Sequence, residues 1–132
     1  MTEIATVFVV DDDHSVRRGL ARLLKSAGHN AESFASAADF LAHVRCRGPA
    51  CALIDVRMPD VSGFDLLQAL QQRCPGLPVI FITGHGDIAM SERAFRGGAS
   101  DFLVKPVDES VLLAAVERAL AASLARPVCG DG

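Results

Sequence analysis

Six polar side chains in this 132-residue sequence stand where chemistry could be done: Asp11, Asp12, Asp13, Asp55, Thr83 and Lys105. Each follows a short apolar run of the kind that forms a buried strand. Carboxylates gathered without arginines between them repel one another. The cost is roughly 1 kcal/mol per close pair at 4 Å in water and about 4 kcal/mol at an effective dielectric of 20. A hard divalent cation removes that conflict. Magnesium is held by a carboxylate or two, waters and a phosphate oxygen, whereas zinc would call for His or Cys. A carboxylate beside such an ion can attack phosphorus and form an acyl phosphate. Lys105 would then pair with the new charge, and the Thr83 hydroxyl would hydrogen-bond a phosphoryl oxygen.

Ordinary roles compete with that chemistry. An aspartate after a strand often only caps the next helix, and for Asp13 this reading is at least as good as a ligand. Asp12 and Asp55, taken singly, admit capping or solvation, and Lys105 before Pro106 reads equally as a surface lysine. The decision rests on whether the chain brings these positions together.

The elements that must do so alternate regularly. Thr6–Val10 is a β-branched, uninterrupted run suited to a strand buried on both faces. A helix starting near His14-Ser15 carries Val16, Leu20, Leu23, Leu24 and Ala27 at the 3.6 period and ends at Gly28. Ala31–Phe34 is a second strand, followed by a helix from about Ser36 with Phe40, Leu41 and Val44, and Gly48-Pro49 punctuates. Cys51–Ile54 is the third strand with Asp55 at its carboxyl end, then a loop, Arg57-Met58-Pro59-Asp60, and a helix with Phe64, Leu67 and Leu70. Val79–Ile82 is the fourth strand, ending at Thr83. The loop Gly84-His85-Gly86 leads to a weakly amphipathic helix over Asp87–Arg96, closed by Gly97-Gly98. Asp101–Val104 is the fifth strand, and a last helix from Asp108 or Ser110 presents Leu112, Ala115, Val116, Ala119 and Leu120 on one face. Five strand–helix units predict a doubly wound parallel sheet with helices on both faces, and 2-1-3-4-5 is the natural strand order. Sites in such sheets form outside the carboxyl ends of the strands, where all six polar residues fall.

Composition sets limits. Half the residues are hydrophobic, enough for one core, and the net charge of -3 lacks the basic footprint of a nucleic-acid surface. Direct contact with DNA is therefore assigned to another domain or chain. The longest apolar runs, Ala50–Ile54 and Ile4–Val10 (broken by Thr6), fall well short of the about 20 residues of a membrane span. Met1-Thr2-Glu3 begins no secretory signal, and a cytoplasmic location is expected. The four cysteines, Cys46, Cys51, Cys74 and Cys129, show neither pairing arithmetic nor metal spacing, and free thiols are expected. Residues 1–124 read as one domain, and 125–132 as a disordered tail or the start of a linker.

Four motifs in order carry a family resemblance: Val9-Val10-Asp11-Asp12-Asp13, Ile54-Asp55-Val56-Arg57-Met58-Pro59-Asp60-Val61-Ser62-Gly63, Ile82-Thr83-Gly84-His85-Gly86-Asp87, and Lys105-Pro106. Over about residues 5 to 123 the chain resembles the receiver domain of response regulators in two-component systems. It is most similar to the branch with helix-turn-helix output domains, such as the nitrogen-fixation regulators. The resemblance implies a flavodoxin-like α/β fold in which Asp55 accepts a phosphoryl group from the phosphohistidine of a sensor histidine kinase. It implies Mg2+ held by Asp12 directly, by Asp11 partly through water, by Asp55 and by the backbone carbonyl of Arg57. Thr83 and Lys105 would contact phosphoryl oxygens, and the Lys105-Pro106 bond would be cis. Thr83 and Phe102 would form the switch, Phe102 acting by packing alone because it lacks a tyrosine hydroxyl. The outcome would be a phosphorylation-dependent homodimer through the fourth helix, fifth strand and fifth helix. Arg57 and His85 flank the site as solvated loop residues or as tuners of water access.

Three rivals share parts of this pattern. An aspartyl-nucleophile phosphohydrolase of the haloacid dehalogenase type needs a second acid two residues after the nucleophile, where Arg57 stands. A degenerate receiver-like binding module would lack part of the acid set, which is complete. A flavin-binding domain would need a Ser/Thr/Gly-rich phosphate loop after the first strand and a Trp or Tyr for stacking, and the chain has neither Trp nor Tyr.

Overall fold

A computed structural model describes residues 4–44, 48–84 and 86–125. The elements are β1 (Thr6–Val10), α1 (His14–Ser26), β2 (Asn30–Phe34), α2 (Ala37–His43), β3 (Ala50–Asp55), α3 (Gly63–Arg73), β4 (Val79–Thr83), α4 (Ile88–Arg96), β5 (Asp101–Val104) and α5 (Glu109–Ala125). The five strands are parallel in the order β2-β1-β3-β4-β5: the doubly wound sheet expected from the alternation, with the natural strand order and the flavodoxin-like fold that the resemblance implies.

Residues alternate between the two faces of the sheet, so each central strand feeds two cores. Phe8, Val10, Ala52, Ile54, Val79 and Phe81 pack beneath α2, α3 and α4, against Phe40, Leu66, Leu67 and Leu70. Val7, Val9, Cys51, Leu53, Ile80 and Ile82 pack beneath α1 and α5, against Leu24, Leu112 and Val116. β1, β3 and β4 are buried almost throughout, while the edge strand β2 exposes Asn30, Glu32 and Ser33. The rings of Phe8, Phe34 and Phe40 meet at centroid distances of 5.3–6.4 Å and fix α2 on its face of the sheet.

Helix ends follow local chemistry. Asp13, Ser36, Ser62 and Asp87 cap the amino ends of α1, α2, α3 and α4 through side-chain oxygens that accept from backbone amides. Gly28 follows α1 with φ +91°, a conformation that favours glycine. Gly98 takes the corresponding role after α4, at φ +102°.

The expectation of free thiols needs one correction. Cys51 is free and buried, its thiol pushed up to about 12 by burial and then by the charge of Glu117. Cys74, at the end of α3, is disulfide-bonded. Sequence spacing says nothing about such a bond, because only the fold decides what stands beside Cys74. Cys46, Cys129, His85 and the tail from residue 126 lie outside the described residues. Among the described residues no helix is long and apolar enough to cross a membrane.

Candidate functional site

The register of the sheet decides which polar residues meet. Val10 pairs with Ile54, so the chain leaves β1 at Asp11 and β3 at Asp55 side by side. Asp55 pairs with Ile82 and Thr83 with Val104, which sets Thr83 and Lys105 at the same carboxyl edge. Carboxylate oxygens of Asp11, Asp12 and Asp55 all lie within 4.8 Å of one another. Lys105 reaches across from the end of β5, its Nζ 3.2 Å from Asp11 Oδ2 and 3.9 Å from Asp55 Oδ2.

Each acid has a distinct setting. Asp11 is buried, and its Oδ1 accepts from the Asp13 amide at 2.9 Å while Oδ2 accepts from Lys105. Asp12 is exposed at the rim. Asp55 is half-buried, with Oδ1 accepting from the Arg57 amide at 3.1 Å. Burial holds the Asp55 carboxyl above the usual carboxylate range. The Arg57 amide opposes that shift, Asp11 adds to it, Lys105 opposes it and Asp12 adds to it. Asp13 does not join the cluster. Its Oδ1 accepts from the amides of Ser15 and Val16 at 2.9 and 3.1 Å, so it is the cap of α1.

The donor set fits a hard, oxygen-seeking divalent cation: three carboxylates converge, one buried, one half-buried and one open to solvent, with no His or Cys among them. A single lysine cannot neutralise three such groups.

Thr83 is fully buried, and its carbonyl accepts from the Lys105 amide at 2.7 Å. The Lys105-Pro106 peptide bond is cis. Phe102 is half-buried against the core on the α2–α3–α4 face. Arg57 presents its side chain to solvent.

Three contributors have no role in the sequence reading. Arg17, in α1, donates from Nη1 to the Asp11 carbonyl at 2.7 Å and so pins the acidic turn. At Gly63 a Cβ would stand 2.9 Å from a Phe81 ring carbon and 3.1 Å from the Asp55 carbonyl oxygen, so the loop after β3 closes only on glycine. At Gly86 a Cβ would meet the Phe102 ring at 2.9 Å and Val104 at 2.7 Å, so the loop after β4 lies flush on β5. Both glycines stand within the motifs, which signals that they matter without saying what presses on them.

Comparison with known proteins identifies the family. Residues 7–117 match the response regulator receiver domain family. The response regulator protein TodT of Pseudomonas putida is 41% identical over 116 residues, spanning 88% of this chain and 51% of TodT. The transcriptional regulatory protein FixJ of Azorhizobium caulinodans is 43% identical over 123 residues, covering 93% of this chain and 58% of FixJ. The crystal structure of FixJ-N superposes with a TM-score of 0.82 at 38% identity, over 96% of this chain and 98% of that one. This chain thus spans about half the length of the curated relatives it matches.

Proposed function

The chain belongs to the response regulator receiver domain family of two-component systems, and from that premise we propose that it is a phosphorylation-controlled switch in which Asp55 is the phosphoacceptor. The observation that supports this best is the convergence of Asp11, Asp12 and Asp55 with Lys105 at one sheet edge.

The phosphoryl donor is the phosphohistidine of a sensor histidine kinase. An Asp55 carboxylate oxygen attacks phosphorus; the new O–P bond forms as the N–P bond breaks, and the imidazole leaves and takes up a proton. Asp11, Asp12, Asp55 and the Arg57 carbonyl would hold Mg2+, which would neutralise charge on the carboxylates and the transferring group. Lys105 exchanges part of its contact with Asp11 for a phosphoryl oxygen, a role supported by its Nζ lying 3.2 Å from Asp11 Oδ2 and 3.9 Å from Asp55 Oδ2. The Thr83 hydroxyl turns toward another phosphoryl oxygen, and Phe102 follows inward by packing.

The signal leaves through α4, β5 and α5, whose exposed apolar side chains Ile88, Phe95, Val104 and Val111 suit self-association. Residues 1–124 are assigned to the switch. In a longer protein the output would be transcriptional and cytoplasmic, with DNA contacted by another domain and not by this acidic one.

Incubation with a small acyl-phosphate donor and magnesium tests the assignment. The expected product is one base-labile phosphate per chain, absent from Asp55→Asn and from reactions with chelator. Equal labelling of Asp55→Asn would refute it.

A further inference from the structure

The loop after β3 carries Arg57, and something must hold that loop still. Its base is fixed by the Asp55 carboxylate on the Arg57 amide, and its far end by the Gly63 amide, which donates to the Val56 carbonyl at 2.8 Å. Its middle is held from outside. Asp60 Oδ2 accepts from the amide of Ala38, in the first turn of α2, at 3.1 Å. The Ala38 amide is the largest influence on the Asp60 carboxyl and, against the opposing effect of burial and with the amides of Val61, Asp60 and Ala37, holds it below the usual carboxylate range.

The partner is a rigid post. Ala37 and Phe40 of α2 are fully buried, and Phe40 sits in the ring cluster with Phe8 and Phe34. The same helix end already has a cap of its own, because Ser36 Oγ accepts from the Asp39 amide at 3.1 Å. Asp60 therefore does something Ser36 does not: it joins α2 to the phosphoacceptor loop. Met58 and Val61, on either side of Asp60, lean on the core without entering it. The carboxylate is the directional restraint between them.

We propose that Asp60 is a positioning residue for the divalent cation, fixing the loop from Val56 to Ser62 on α2 and with it the backbone carbonyl of Arg57. The inference rests on the reading of Asp11, Asp12, Asp55 and Arg57 as the cation's ligands.

The test compares Asp60→Ala, Asp60→Asn and Ser36→Ala by calorimetric titration of the full chain with magnesium alone, since the protein has no Trp or Tyr to report by fluorescence. Asp60→Ala should weaken magnesium binding by about 10- to 100-fold, the range seen when a group that orients a metal ligand is removed. Asp60→Asn, which keeps an acceptor oxygen and loses the charge, should stay close to wild type. Ser36→Ala, which uncaps the same helix end, should lower thermal stability and leave the affinity alone. Asp60→Asn as weak as Asp60→Ala would mean that only charge mattered, and Ser36→Ala as weak would mean that only the helix end mattered; either result overturns the proposal. A second readout needs no metal. Amide exchange of Ala38 and of Arg57, Met58 and Val61 should quicken in Asp60→Ala, and unchanged exchange would show that the anchor is absent. Wild-type protein that takes up no magnesium would instead remove the ligand assignment itself, and this inference with it.

Discussion

As the proposed phosphoacceptor, Asp55 combines two requirements that oppose each other: a nucleophile should be ionised, and a carboxylate in a half-buried cluster of acids resists ionisation. Burial is the larger influence, and it holds the folded carboxyl above its unfolded value. Below the unfolded value, near pH 4, the group is protonated in both states and folding is not penalised. As pH rises through the raised folded value, the folded chain must carry an unwelcome charge, and stability is lost. Metal-free Asp55→Asn should therefore melt above wild type at pH 7, with the gap closing as pH falls below about 4. Melting curves across that range check it, and a gap constant with pH would point to packing instead of charge. The acid cluster was legible in the sequence because each member ends a strand, where topology alone brings residues together. Arg17 and Asp60 were not, because their partners are backbone groups whose position depends on how a turn closes.

Among the helices, α4 buries little apolar surface. Ala94 is its one buried residue, while Ile88 and Phe95 face solvent. Met90 leans on the core, and polar and ring contacts add to it: the Arg93 guanidinium lies 4.2 Å above the Phe64 ring, and the Gln71 amide donates to the Gly97 carbonyl. Phe64 meets Phe81 edge-on at 5.4 Å, and Phe81 in turn presses on Gly63 beside the Asp55 carbonyl. The helix that should move is thus tied to the loop that should be phosphorylated. Each tie is worth about 0.5–1 kcal/mol for an exposed contact, so Arg93→Ala and Gln71→Ala should each speed amide exchange across residues 88–96 about two- to fivefold. Exchange in α5 should not change, and uniform acceleration through both helices would show that global stability had fallen instead. The thin apolar content of Asp87–Arg96 was visible in the sequence, and so was its closure by two glycines. The cross-helix ties were not, because no periodicity relates Phe64 to Arg93 or Gln71 to Gly97.

For the whole molecule, the parallel sheet followed from the alternation of strand-like and helix-like segments, since a strand buried on both faces has a sequence unlike an edge strand. β1 is apolar from Val7 to Val10 and β2 is largely polar, and the sheet places them accordingly in the interior and at the edge. The bonding of Cys74 had no such signal, because a disulfide depends on tertiary proximity. The same reasoning extends outward to the surface. Ile88 is 78% exposed, Phe95 50%, Val111 49% and Val104 47%, all on the three elements that lie beyond Thr83 and Phe102. Their burial by a second copy would add about 25 cal/mol per Å² of apolar surface, against the cost of association. On the proposed function, a rearrangement of α4 on phosphorylation would shift that balance. Sedimentation velocity should show monomer without phosphodonor and dimer with donor and magnesium. Ile88→Asp and Val104→Asp should remain monomeric while still taking up phosphate on Asp55, because neither residue touches the acid cluster. Monomer under every condition would remove the dimer from the switch. Loss of phosphate uptake in Ile88→Asp would mean that this face and the site are coupled more tightly than through α4 alone.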